Sequence, residues 1–445
     1  MTFSVNGFNP VGGQSKKGRA PQRFAYRSAD SIATMLAAGY FATMRNLLAI
    51  GDTIDLVQVD DDEDPTHVLA TGSAMVQSRE DDSVAVVDLS AGAYAGGIVR
   101  MPFFFNETDL LAGTSQRILS PVAGSLKRLV TCVKKQVTTG GAIAVELADV
   151  AVAGLSITVA NAAAVGTVQS DTPTADTRLE ADQAIEITAA AAFATAGEVF
   201  GFVEILPDTD TGDIYLPFFI NQTDLLAGTS QWIPAPEAGQ IVKAACVTQV
   251  GVTTGGNITV ELATVAVTGL TVVVADAAVA GDVDSDVPTD LAGATGAVTK
   301  EQVVEVVVDS AFATAGAVNG YVTLRPTVKT NKAFLFFYAN QTDVLAATSH
   351  FLANPVRGQV TRAVTAVQVG VTTGGDVTLE IGGTAVDGLT VTVANSASAG
   401  DIDRDQGTPG HLTSEINADS AVEVVFAAAF ATAGALNGFV EVTPA

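Results

Sequence analysis

The sequence predicts a mainly β protein in which a small N-terminal α+β domain precedes three tandem β-sandwich repeats of a jelly-roll-like kind. The first observation behind this is internal repetition. Asn106-Glu-Thr-Asp-Leu-Leu-Ala-Gly-Thr-Ser-Gln116 returns from Asn221 to Gln231 and again, with changes, from Asn340 to His350. Val-Thr-Thr-Gly-Gly opens at Val137, Val252 and Val371, so both landmarks keep offsets of 115 and 119. A unit of that length folds by itself, whereas solenoid repeats are a few tens of residues and need neighbours. The second observation is strict apolar alternation inside each copy, the signature of half-buried strands. The third is composition: 48% hydrophobic and 16% charged residues favour folded domains over disorder.

Read in order, residues 1–27 form an extended basic arm. Residues 1–50 hold six basic side chains against Asp30 alone, a net +5, and since the whole chain carries −26 the remainder carries −31. An acidic body of that size repels nucleic acid and anionic membranes, while the arm suits an acidic protein surface. Its composition, rich in Gly and Pro around Lys16, Lys17, Arg19, Arg23 and Arg27, is too polar for a core.

Residues 28–97 form the α+β domain. Ser28 can cap a helix through Ala29 to Ala38 that Gly39 stops. Thr53–Val59, Leu69–Val76 and Val84–Leu89 read as strands, and the acid run Asp60–Asp64 as a solvated loop. Ser90–Gly97 is a Gly/Ala linker.

The repeats occupy 98–212, 213–331 and 332–445. Each has seven or eight short strands, as a β-sandwich or jelly roll requires. Alternation is clean in Ile143–Leu147, Ile258–Leu262 and Val377–Ile381, with Glu146, Glu261 and Glu380 on the solvated face. Thr-Gly-Gly before each supplies a hairpin turn, so Gln240–Val250 is the expected antiparallel partner of its strand. Further strands are Leu270–Ala275, Val303–Val308 and Asn319–Leu324. Asn and Thr-Asp of the repeated motif bond the local backbone where the aromatic strand ends.

Chemistry is sparse. The only histidines are His67, His350 and His411, and no HExxH, Gly-x-Ser-x-Gly, P-loop or CxxC occurs, so neither catalysis nor a cofactor is expected. Cys132 and Cys246 read as small apolar strand residues, since they do not fall on equivalent positions. Four glycosylation sequons, at Asn106, Asn221, Asn257 and Asn340, have no secretory signal ahead of them. No run of about 18 uncharged apolar residues is present to span a membrane. Asp282, Asp284 and Asp286, and again Asp401, Asp403 and Asp405, space three carboxylates two apart like the start of a calcium loop. Val287 and Gln406 stand where that loop needs Gly, which makes these weak metal candidates and a solvated loop the better reading.

Neighbouring aromatics in Phe103-Phe-Phe105, Phe218-Phe-Ile220 and Phe337-Tyr-Ala339 must point to opposite sides of a strand. One side fills the sandwich, and the other, Phe104, Phe219 and Tyr338, is expected at a subunit interface around a threefold axis. Position 117, occupied in the three copies by Arg117, Trp232 and Phe351, suits an exposed rim.

The stretch Gly7-Phe-Asn-Pro-Val-Gly-Gly-Gln-Ser15, with Tyr26-Arg-Ser-Ala-Asp-Ser-Ile-Ala-Thr34 and Leu48-Ala-Ile-Gly-Asp52, resembles the N-terminal part of head-decoration or head-fibre proteins of tailed bacteriophages. Val152–Asn161 and the Phe-Ala-Thr-Ala-Gly element near the end of each repeat are similar to domains of such virion proteins. The resemblance implies a homotrimeric component of the capsid exterior that binds the major capsid protein through its N-terminal part. The alternative is a tail-associated protein that binds a host surface glycan.

Overall fold

The computed structural model describes residues 7–11, 22–30, 32–36, 39–61, 66–80, 83–88, 97–189, 193, 197–291, 293–308, 312, 316–408, 411–426, 430 and 434–444. The chain divides into two compact units at Tyr94/Ala95. The expected linker lies outside the described residues except for Gly97, as do Lys16, Lys17 and Arg19.

In the first unit, β1 (Phe8–Pro10), β2 (Arg23–Ser28), β3 (Thr53–Val59), β4 (Val68–Glu80) and β5 (Ser83–Asp88) form one sheet in that order. β2 and β3 are parallel, which demands a crossover, and residues 29–52 supply it. Of the helix expected over 29–38, the described residues show one turn, α1 (Ile32–Met35), followed by a 3-10 turn at Ala42–Met44. The unit is therefore a β-sheet with helical turns. Asp52 ties the crossover down, accepting the backbone N–H groups of Gln22 (2.8 Å) and Ala49 (2.7 Å).

The extended-arm reading fails in part here. Phe8, Phe24 and Tyr26 are buried in one cluster with Phe41, Ile54 and Leu56. β2 lies between β1 and β3, so its backbone groups bond on both sides. Arg23 and Arg27 are the outward-facing half of the alternation on that strand, and the basic composition masked the apolar half.

Each repeat of the second unit is a jelly roll of eight main strands and one short additional strand. The first contains β6 (Val99–Phe105), α2 (Glu107–Ala112), β7 (Ser115–Leu119), β8 (Gly124–Lys135), β9 (Ala142–Leu147), β10 (Val150–Thr158), β11 (Val168–Asp171), the short β12 (Thr177–Leu179), β13 (Ala184–Ala189) and β14 (Glu198–Pro207). Pairing is nested: β6 with β14, β7 with β13, β8 with β11 and β9 with β10. That nesting gives two facing sheets, β10-β9-β13-β7 and β11-β8-β14-β6, with the core between them.

The second repeat repeats the order with β15 (Ile214–Ile220), α3 (Gln222–Ala227), β16 (Gln231–Pro234), β17 (Gly239–Val250), β18 (Gly256–Leu262), β19 (Val265–Val274), β20 (Val283–Asp286), β21 (Ala297–Val298), β22 (Val303–Val308) and β23 (Ala317–Pro326). The third does so with β24 (Ala333–Ala339), α4 (Gln341–Leu345), β25 (His350–Asn354), β26 (Gly358–Val369), β27 (Gly375–Ile381), β28 (Thr384–Val393), β29 (Ile402–Gln406), β30 (Glu415–Ile416), β31 (Ser420–Phe426) and β32 (Ala435–Pro444).

The expected hairpin between β17 and β18 does not form. The two strands lie in opposite sheets, and β18 pairs with β19 and β22. The Gly-Gly pair serves close approach instead. A Cβ on Gly255 would lie 2.0 Å from the carbonyl oxygen of Val274, and one on Gly256 2.6 Å from the ring of Phe312. Phe312 belongs to the Phe-Ala-Thr-Ala-Gly element, so the two repeated motifs exist to fit each other. Glu146, Glu261 and Glu380 are half-exposed on the outer face. Cys132 and Cys246 are buried and unbridged, and burial pushes both thiols up to about 12.

Candidate functional site

The three jelly rolls close into a ring within one chain. β7 packs on β17, β16 on β26, and β25 on β8, so each repeat meets the next through the same two strands and the third returns to the first. Residues at matching positions build the three seams. Gln249 accepts the backbone N–H of Arg117 (2.8 Å) and donates to its carbonyl oxygen, while Gln368 does the same to Trp232 (2.9 Å from N–H to side chain). Asn319 and Asn437 each add a bond to the same carbonyls, at 3.0 and 3.2 Å.

A second contact recurs at every seam. Lys243 pairs with Asp182, Arg362 with Glu301 (2.5 Å) and Arg128 with Asp419 (2.6 Å), each joining a basic residue on one repeat to an acid on the repeat before it. Arg362 is the most enclosed, with 2% of its side chain exposed, and it also reaches Glu441 at 2.5 Å and the carbonyl oxygen of Pro236 at 2.9 Å. Position 117 therefore belongs to the seams: Arg117, Trp232 and Phe351 are half-buried where the repeats meet, and the exposed-rim reading is corrected. Its variation reflects three seams that have diverged.

The third seam breaks the pattern. Lys134 takes the place of Gln249 and Gln368, and His350 that of Gln116 and Gln231. Lys134 Nζ lies 3.0 Å from Glu198, 3.3 Å from Asp343 and 4.7 Å from the centre of the Phe104 ring. His350 Nε2 lies 3.2 Å from the same Asp343 carboxylate. Burial would push Asp343 up, but the His350 contact and the Lys134 charge outweigh it and hold this carboxyl below its usual range. Burial keeps the His350 pKa low and its ring neutral.

Where the seams converge there is a cleft of about 490 Å³. Phe104, Phe219 and Tyr338, the three residues expected at a threefold interface, line it together inside a single chain, and Tyr338 is 43% exposed there. Below them sit Asp109, Asp224 and Asp343. Each belongs to a capped helix: Asn106, Asn221 and Asn340 accept the N–H of the Asp three residues on, at 3.0 Å in each case, as the local-bonding reading of the motif expects. Burial raises Asp109 and Asp224 above the usual carboxylate range. One leucine on each cap helix, Leu111, Leu226 and Leu345, is more than two-fifths exposed.

The other candidates fall elsewhere. Arg23 lies on β2 beside Asp55 (2.7 Å) and Arg27 on the same strand; neither belongs to the cleft's unit. The aspartate triplets lie at β20 and β29, where the outer residues accept backbone N–H groups. Asp282 accepts the N–H of Val279 (2.8 Å), Asp286 that of Thr271 (2.7 Å), Asp401 that of Ser398 (2.7 Å) and Asp405 that of Thr390 (2.7 Å). Burial, then the adjacent carboxylate, raises Asp284 and Asp403. Among the described residues no three metal-ligating side chains converge. The seam residues Lys134, Gln249, Gln368 and Arg362 were missed by the sequence reading. Their signal was a polar or basic side chain recurring at two positions of otherwise apolar strands, 134/249/368 and 128/243/362.

No protein-family model matches the chain, and no curated protein sequence matches it. Among solved structures it is similar to the major capsid protein P2 of bacteriophage PM2, at 11% identity over 52% of this chain and 99% of that one, with a TM-score of 0.17. Two structures from archaeal viruses match at 10% identity over 83% of this chain. One is Sulfolobus turreted icosahedral virus (90% of that chain, TM-score 0.19), and the other a triple-jelly-roll turret protein (87%, TM-score 0.18). Superpositions this poor carry no weight for fold or function, and the jelly-roll assignment rests on the strand pairing alone.

Proposed function

We propose that this chain is a structural, non-enzymatic protein of a virion, a decoration or head-fibre component of a tailed-phage capsid. On this reading the N-terminal unit binds the major capsid protein and the three-repeat body is displayed on the exterior. The observation that carries the proposal is the closed ring. Three jelly rolls joined through their own seams make a closed threefold-like block, the form of a building or display element. The N-terminal resemblance to head-fibre proteins supplies the location. Because the ring provides its own threefold, the working unit is one chain.

Gold-labelled antibody against the chain, viewed on negatively stained virions, should decorate the head; label confined to the tail tip would overturn the reading. Light scattering at micromolar concentration should give the mass of one chain. The attachment test removes residues 1–94 whole, since removing 1–27 would strip β1 and β2 from their sheet. The remaining body should fold and be lost from virions.

A further inference from the structure

We propose that the cleft at the centre of the ring binds alkylammonium groups at two subsites, Asp109 with Phe219 and Asp224 with Tyr338, in the way that Asp343 and Phe104 hold Lys134. The argument is internal symmetry. At the seam between the third and first repeats, an ammonium group is present in the structure, 3.3 Å from Asp343 and 4.7 Å from the centre of the Phe104 ring. Turning that arrangement by one repeat replaces Lys134, Phe104 and Asp343 with Gln249, Phe219 and Asp109. A further turn gives Gln368, Tyr338 and Asp224.

In both positions the aspartate and the aromatic ring are kept and the cation is gone, while Glu198, the acid nearest Lys134 at 3.0 Å, is matched by Ala317 and Ala435. Gln249 and Gln368 spend their amides on the backbone of Arg117 and Trp232. Asp109 is left with the N–H of Asn106 (3.1 Å), the hydroxyl of Thr114 (3.3 Å) and the side chain of Gln116, and Asp224 with the Asn221 side chain (2.7 Å), neither with a cation. Burial has raised both carboxyls, so a positive partner would relieve a cost that the Lys134 site does not bear. Asp224 and Tyr338 line the same cleft. An alkyl stem would lie along the aromatic walls and its ammonium head over a ring face beside a carboxylate, a pairing stronger in a partly dry cleft than in water. The ligand can be a free aliphatic diamine or the lysine side chain of a protein partner; the chemistry at the subsite is the same.

Calorimetric titration of the full chain with 1,5-diaminopentane and with a blocked lysine peptide at 0.15 M salt separates the sources. Saturable binding of the diamine alone points to a free amine, and tighter binding of the peptide points to a protein side chain. Asp109→Asn with Asp224→Asn should weaken either by at least tenfold, while Asp282→Asn with Asp401→Asn, outside the cleft, should leave it unchanged. Lys134→Ala should lose stability and recover it when butylamine is added. No saturable binding of either probe, or equal binding by the Asp109/Asp224 double variant, overturns the proposal. So does a folded Lys134→Ala protein that butylamine does not stabilise.

Discussion

Replacing Arg362 with Met removes a buried charge that three acceptors surround, and the structure sets the size of the effect. The side chain is 2% exposed, and its partners Glu301 and Glu441 are 7% and 5% exposed. Breaking a buried pair from one side costs about 3–5 kcal/mol, most of it the stranded partner charge. Here Glu441 keeps Lys332 at 3.0 Å and Glu301 keeps Arg404, so the lower end, about 3 kcal/mol, is expected. The matching substitution Lys243→Met breaks a pair whose members are 23% and 24% exposed, for which about 1 kcal/mol is expected. The chain's one tryptophan suits the assay. Trp232 lies at the Arg362 seam, its backbone held by Gln368 and its indole against Gly400, so its emission during urea unfolding reports the opening of that seam. A loss below about 1 kcal/mol for Arg362→Met, or one no larger than for Lys243→Met, would refute the reasoning. A double-mutant cycle with Glu301→Gln should return a coupling above about 1 kcal/mol.

Three further expectations concern single residues. Thr264 sits at φ +67° in a two-residue hairpin turn where the third repeat has Gly383, so Thr264→Gly should raise the urea midpoint by about 0.5–1 kcal/mol in stability. Gly256→Ala drives a Cβ into the Phe312 ring at 2.6 Å and should cost about 1–3 kcal/mol; an unchanged thermal midpoint would show that the Phe312 ring gives way freely. His350, with its depressed pKa, stays neutral in the fold while the unfolded chain takes up a proton, so stability falls as pH drops below about 6.5. Asp343, also depressed, adds its own loss only at lower pH, through its folded pKa. His350→Gln, the residue of the other repeats, should remove a slope of up to about 1.4 kcal/mol per pH unit between pH 5 and 6.5, and a slope that persists in that variant would rule His350 out as its source.

Strand positions were legible because alternation is local: Thr53–Val59 and Val303–Val308 were placed to the residue. Partners were not legible. Alternation says which side of a strand is buried and nothing about what it pairs with, and nested pairing joins β6 to β14 across a whole repeat. The Gly-Gly pair at 255 and 256 misled for the same reason, since a glycine needed for contact with Phe312 looks identical in sequence to one needed for a turn. In the N-terminal segment, Phe8, Phe24 and Tyr26 were outvoted by the lysines and arginines around them, because averaging over a window erases a two-residue period. Alternation put Phe104, Phe219 and Tyr338 on the strand face turned away from their own sandwich, and the three line one cleft. Whether the neighbour was another chain or the next repeat is a matter of ring closure, which no local pattern encodes.

Covalent tandem linkage changes what the ring can do in time and in evolution. Three separate copies would fall apart on dilution and would carry any substitution at all three seams at once. Here each repeat holds its neighbours at an effective concentration fixed by the short connections at 208–213 and 327–332, so closure is independent of how much protein is present. The three seams can also drift separately, and the exchange of two glutamines for Lys134 and His350 at one seam alone is that freedom in use.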